Sequence, residues 1–272
     1  MNKYLQLFRI GNAIMGIIGV TVASFMASGT GIADHWINLL ISALIVFMFV
    51  CGGNALNDSI DAEIDKTAHP ERPVPSGRMT AKEARNAGII MLAGSAAASL
   101  LTMDPVCILI VTVAVALMVA YELFLKQRGF VGNLTIAALT GMTFLMGGAA
   151  VSNAEGNVII AVMAALVSVG REIAKDIEDM EGDEGRVTLP MKIGKKGAAA
   201  VACVFFIAGP MLSIVPMIQH TYGPMYYLVV VADALFIFCA YSVFSDPHKA
   251  QKTAKIAMFA ALIAFILGVA FR

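Results

Sequence analysis

From residue 10 to 29 the chain reads IGNAIMGIIGVTVASFMASG, with no charged side chain. Apolar stretches of this kind recur along most of its length. A bilayer core about 30 Å thick takes roughly 20 helical residues to cross. Nine spans meet that requirement, over 10–29, 36–57, 82–101, 105–124, 131–152, 157–175, 196–217, 224–244 and 254–271. The runs are unbroken and do not alternate as barrel strands would, so each is expected to be a helix that satisfies its own backbone in hydrocarbon. The pattern therefore predicts an all-α, polytopic membrane protein. Lys3 and Arg9 precede the first span without a convincing small-residue cleavage site, so that span is read as a membrane helix and not as a cleaved signal.

Composition agrees: 59% of the 272 residues are hydrophobic and 14% charged, with a mean hydropathy of +0.81. Charge adds a direction. Every Lys and Arg except Arg272 falls before the first span, or in or beside the loop that follows an even-numbered one. The positive-inside rule then places the N-terminus and these loops in the cytoplasm, as expected of a cell-membrane protein. A net charge of zero gives no sign of nucleic-acid binding, and the basic loops reflect either topology or contact with anionic membrane lipids. Cys51, Cys107, Cys203 and Cys239 all lie in apolar spans without metal-ligand spacing and read as packing residues.

The polar residues that break this pattern are ordered. Asn54, Asp58, Asp61 and Asp65 are spaced four, three and four apart at the cytoplasmic end of the second span. On a helix this gathers them within an arc of roughly 60°, with Asn57 beside them. Glu172, Asp176, Asp179 and Asp183 repeat the same steps at the end of the sixth span. The repetition predicts one membrane domain of two related halves, about 1–125 and 126–272. Stacked like charges repel, and in a membrane helix they call for a positive partner. Mg²⁺ supplies one: it takes carboxylate oxygens, keeps several waters and completes its shell with phosphate oxygens. Two such faces opposed across a cavity can hold two Mg²⁺ ions and a diphosphate. The competing reading is a pair of solvated helix ends, which gives no reason for the register to repeat.

A diphosphate also needs Arg or Lys donors. Arg72 and Arg78 lie in HPERPVPSGR, a loop stiffened by Pro70, Pro73 and Pro75. Lys126 follows the fourth span, and Arg9 with Asn12 opens the first. Arg171 and Lys175 flank the second acidic face, either as phosphate ligands or as its local counter-ions. Asp233, deep in the eighth span, is expected to be protonated, hydrogen-bonded or cavity-facing and is not assigned to catalysis.

Together NDSIDAEID, RPVPSGR, YELFLK and the second aspartate-rich segment ending in GRVTLP resemble the UbiA superfamily of intramembrane prenyltransferases. KDIEDMEGD, KQRGFVGN and LTGMTFLMGG are similar to segments of its archaeal digeranylgeranylglyceryl phosphate synthases. Where that subfamily usually looks like Arg-Pro-Gly-Asn or Arg-Pro-x-Asn near its start, this chain has Arg9-Ile10-Gly11-Asn12. The resemblance implies a nine-helix bundle around a central cavity, with the two aspartate motifs opposed at its cytoplasmic mouth. It implies Mg²⁺ on Asp58, Asp61, Asp65, Asp176, Asp179 and Asp183 as the catalytic carboxylates, and phosphate contacts from Arg72 and Lys126. The implied substrates are an isoprenyl diphosphate and a prenylated glycerol phosphate lipid. An aromatic acceptor is the alternative within the superfamily, and a cation-coupled transporter the alternative outside it; a transporter would set its carboxylates nearer the bilayer midplane.

Overall fold

A computed structural model describes residues 2–180 and 187–272; Asp183 and Arg186 lie outside the described residues. Among the described residues the long helices are α1 (Ile10–Ser28), α2 (Trp36–Ile60), α3 (Ala81–Ser99), α4 (Pro105–Ala120), α5 (Phe130–Ala150), α6 (Val158–Asp179), α7 (Leu189–Met211), α8 (Val229–Ser242) and α9 (Pro247–Ala270). Eight helical stretches are long and apolar enough to cross a membrane. The first, Ile10–Ile60, is two helices joined by the short turn Gly29–His35 and packed against each other, so the nine expected spans are present. The protein is a multi-pass membrane protein.

Its packing suits a lipid solvent. Large apolar side chains point outward, Leu40 and Ile90 more than half exposed. The interior is built from small residues: Ala137, Ala174, Ala198, Ala202, Ala254 and Ala257 are all buried in one cluster around Phe206. Lipid tails are as apolar as Leu, so helices associate through close approach of small residues. At the α2–α3 crossing Gly52 and Gly88 face each other, and a Cβ on Gly88 would come 2.9 Å from the Leu56 nitrogen. Helix starts carry their own signals. Thr80 and Glu83 form a reciprocal capping box on α3, while Asp104 and Asp246 cap α4 and α9 ahead of Pro105 and Pro247.

Connectivity sets the site. Helices α1 and α5 pack against each other; α2, α3 and α4 complete one group around them, and α6 to α9 form a second group against α5. An apolar pocket lined by Gly16, Phe49, Ile110 and Met146 lies within the first group. Helices α2 and α6, which carry the two acidic motifs, are not among the closely packed pairs, and α5 lies between them.

Candidate active site

A cavity of about 860 Å³ opens where α2, the end of α4 and α6 converge. Its rim carries Asn54, Asn57, Asp61, Asp65, Arg72 and Lys126, and its deeper wall Phe49, Val50, Met118 and Ile136. Phe49 and Val50 also line the apolar pocket, so the ionic mouth adjoins a greasy recess.

The first acidic motif does not lie on one unbroken helix. Helix α2 ends at Ile60 with Asp61 as its cap, and Asp65 begins the short helix Asp65–Ala68. The Asp61 amide still donates to the Asn57 carbonyl at 2.9 Å and the Asp65 amide to the Asp61 carbonyl at 2.8 Å. The helical spacing therefore survives the bend, and Asp61 and Asp65 both reach the cavity wall. Asp58 does not line it. Its side chain is 1% exposed; Oδ1 accepts a close bond from Arg9 Nη2 and lies 3.6 Å from Arg72 Nη1, while Oδ2 has no hydrogen-bond partner among the described residues. Arg72 donates to Asp65 Oδ2 at 2.5 Å. Its loop is held by backbone bonds from the Ser76 amide to the Arg72 carbonyl and from the Met79 amide to the Pro73 carbonyl, each 3.0 Å.

Arg9 has left-handed backbone geometry, φ 47° and ψ 60°, at the start of α1. A residue with a Cβ enters that region at a cost of order 1–2 kcal/mol. The ion pair with Asp58 and a 3.4 Å bond to the Asn57 Oδ1 hold the side chain over the mouth.

Opposite Arg9, the end of α4 widens into a π-helical turn, Tyr121–Leu125. Such turns add a residue to the helix and redirect side chains, often at functional sites. Here the turn directs Glu122, 6% exposed, into the cavity. Asn57 Nδ2 donates to Glu122 Oε2 at 3.2 Å and to Asp61 Oδ2 at 3.1 Å. Lys126 Nζ makes a close ion pair with Asp61 and lies 3.6 Å from Glu122. Sequence reading did not select Glu122, although its i,i+4 relation to Lys126 within YELFLK was a usable signal.

On the far wall, Lys175 of α6 lines the cavity. Glu172, Asp176 and Asp179 share that face of the helix by their spacing, but of the described α6 residues Lys175 alone lines the cavity. Asp176 Oδ2 accepts from Asn133 Nδ2 of α5 at 2.8 Å, a contact sequence reading also missed. Arg171 pairs with Glu172 beside it. Like Asp58 and Arg171, two further expected ligands do not line the cavity. Arg78 bonds to Ser76, Gln6 and the Glu71 carbonyl outside the cavity, and Asn12 lines a separate groove with Leu5 and Gln6.

No group of three or more Asp, Glu, His or Cys is preassembled around a metal position among the described residues. On the α2 and α4 side each carboxylate instead faces a cation. The donors available are nevertheless hard oxygens, the amides of Asn54 and Asn57 and the carboxylates of Asp61 and Asp65, and they fit Mg²⁺ in place of a softer ion.

Residues 17–263 match the model of the UbiA prenyltransferase family. The digeranylgeranylglyceryl phosphate synthase of Methanosarcina mazei is 37% identical over 99% of both chains, and that of Thermococcus kodakarensis 36% over 97% of both. A solved digeranylgeranylglyceryl phosphate synthase superposes with a TM-score of 0.87 at 33% identity, covering 98% of each chain. A UbiA homologue from Archaeoglobus fulgidus bound to GPP and Mg²⁺ shares the fold, with a TM-score of 0.66 at 15% identity over 99% of each chain.

Proposed function

The chain belongs to the UbiA prenyltransferase family, and on that premise we propose that it transfers a geranylgeranyl group from geranylgeranyl diphosphate to the free hydroxyl of geranylgeranylglyceryl phosphate. The hydroxyl oxygen bonds to the allylic C1 as the C1–O bond to diphosphate breaks; pyrophosphate leaves and the hydroxyl proton is released. The product is a doubly prenylated glycerol phosphate, which carries the second ether bond of archaeal membrane lipids. We place the protein in the cell membrane with its N-terminus and cavity mouth in the cytoplasm, the side that the basic loops favour.

The observation that carries this reading is one cavity with two chemistries. Its rim bears Asp61, Asp65, Arg72 and Lys126, and its inner wall passes at Phe49 and Val50 into an apolar pocket enclosed by the first five helices. A molecule with a charged head and a long apolar tail fits that arrangement. Asp61 and Asp65 with Asn57 on one wall, and Asp176 and Asp179 on the other, would hold Mg²⁺; Asp183, next in the same sequence spacing, lies outside the described residues. Bound there, Mg²⁺ would offset the charge that grows on the leaving diphosphate.

The chain's own residues do the rest. Arg72 and Lys126 give up their carboxylate partners to donate to diphosphate oxygens, an exchange of one charge-assisted bond for another. Arg9, fixed by buried Asp58, covers the mouth. Because the negative charge is larger on the departing group than on the bound substrate, these fixed cations favour the transition state. Phe49, Val50, Met118 and Ile136 keep water from the allylic centre, which water would convert to an alcohol.

The test is an acceptor assay on purified protein in detergent. Labelled geranylgeranyl diphosphate is supplied with Mg²⁺ and, separately, geranylgeranylglyceryl phosphate, 4-hydroxybenzoate and a naphthoate. Transfer to the glycerol phosphate alone is expected. Transfer to an aromatic ring instead would move the protein to quinone-precursor synthesis, and failure with every acceptor would overturn the prenyltransferase reading.

A further inference from the structure

We propose that Lys175 is the subsite for the phosphate monoester of the acceptor lipid, and hence the residue by which the enzyme prefers a phosphorylated glycerol to an uncharged alcohol. The inference rests on the glycerol phosphate acceptor proposed above.

Among the described residues, four Lys and Arg side chains line the cavity. Arg9 is paired with Asp58, Arg72 with Asp65 and Lys126 with Asp61. Lys175, on the opposite wall, has no hydrogen-bond or ion-pair partner among the described residues. It is not neutralising its own helix: Glu172 is taken by Arg171, Asp176 accepts from Asn133, and Asp179 has contacts of its own. The alternatives open from sequence thus divide, with Arg171 the local counter-ion and Lys175 a cation presented to the cavity.

The reaction calls for a cation there. The attacking hydroxyl is on the carbon next to the one that bears the acceptor phosphate. When that oxygen reaches C1 of the donor, the phosphate lies inside the same mouth as the donor's diphosphate. The two anions repel and are driven to different cations within that mouth. Arg9, Arg72 and Lys126, beside the first acidic motif, serve the diphosphate between the two motifs; Lys175 on α6 is left for the monoester. A lysine is a point charge on a flexible stem and suits a monoester that must arrive and depart in each turnover. An acceptor without phosphate has no use for it.

The test compares wild type, Lys175→Gln and Lys175→Arg with geranylgeranylglyceryl phosphate and with its phosphate-free alcohol, geranylgeranylglycerol. Loss of one charge-assisted contact should raise KM for the phosphorylated acceptor roughly ten- to a hundredfold in Lys175→Gln. KM for geranylgeranyl diphosphate should stay within about twofold, and the preference for the phosphorylated acceptor over the alcohol should collapse by the same factor as the first change. Lys175→Arg should recover most of it, which also separates charge from folding. An unchanged acceptor KM in Lys175→Gln, or an equal loss with the alcohol, overturns the subsite while leaving the acceptor assignment intact. A wild-type enzyme that does not use geranylgeranylglyceryl phosphate at all overturns both.

Discussion

Replacing Asp58 by Asn tests whether this buried carboxylate anchors arginines or binds metal. The change keeps the side chain's shape and removes a negative charge from between two guanidinium groups. The consequences for the two differ. Arg72 retains Asp65 at 2.5 Å and loses a second partner at 3.6 Å. Arg9 loses the only carboxylate it touches among the described residues and keeps one bond to Asn57 at 3.4 Å. Breaking an enclosed ion pair from one side costs about 3–5 kcal/mol. Arg9 is 30% exposed and can rehydrate, so the loss is closer to one charge-assisted hydrogen bond, about 1.5–2 kcal/mol. Relief of its left-handed backbone favours departure from the mouth. If Arg9 serves the diphosphate, KM for geranylgeranyl diphosphate should rise roughly ten- to thirtyfold. The half-saturating Mg²⁺ concentration should be unchanged, because Asp58 does not line the cavity. Initial rates against donor at saturating acceptor, with a parallel Mg²⁺ titration, give both numbers. A normal donor KM combined with a tenfold weaker Mg²⁺ response would refute the anchoring role and make Asp58 a metal ligand.

Other perturbations separate the remaining parts. Asp61→Ala and Asp179→Ala should each abolish transfer while the detergent-solubilised protein keeps its helical circular dichroism; EDTA should do the same to wild type, reversibly on adding Mg²⁺. Full activity in any of the three would oppose the metal model. Glu122→Gln should lower kcat/KM about tenfold, the worth of one charge-assisted bond, through Asn57 and Lys126, with little change in the thermal midpoint. Gly129→Ala should lower the thermal midpoint by roughly 5 °C or more. Its φ is +61°, and a Cβ would meet the Val187 carbonyl oxygen at 2.6 Å, so the turn that ends the Lys126 segment must shift.

The spans were legible because twenty apolar residues in hydrocarbon leave the backbone few alternatives to a helix. Their ends were not. Helix α2 runs to Ile60 and α6 to Asp179, beyond the expected span ends at 57 and 175, because Asn57, Asp58 and Asp176 find polar partners inside the bundle. Spacing placed Asp61 and Asp65 on one side correctly, although the helix bends between them. What spacing does not report is depth. Asp58 has the same register as its neighbours and is enclosed because Arg9, 49 residues earlier, folds over it. Glu122 and Asn133 escaped notice because a lone carboxylate or amide at a span end looks like a solvated cap; only the π-helical turn and the packing of α5 on α6 turn them inward. Arg78 and Asn12 went the other way, drawn from the mouth by Gln6 and by the groove beside α1.

The most direct test is a structure of the protein with Mn²⁺ and an unreactive geranylgeranyl thiodiphosphate, the metal located by its anomalous scattering. The account predicts Mn²⁺ directly coordinated by oxygens of Asp61 or Asp65 on one wall and of Asp176 or Asp179 on the other, with the diphosphate spanning them. Metal and diphosphate confined to one wall, with the α6 carboxylates directed to solvent, would contradict it.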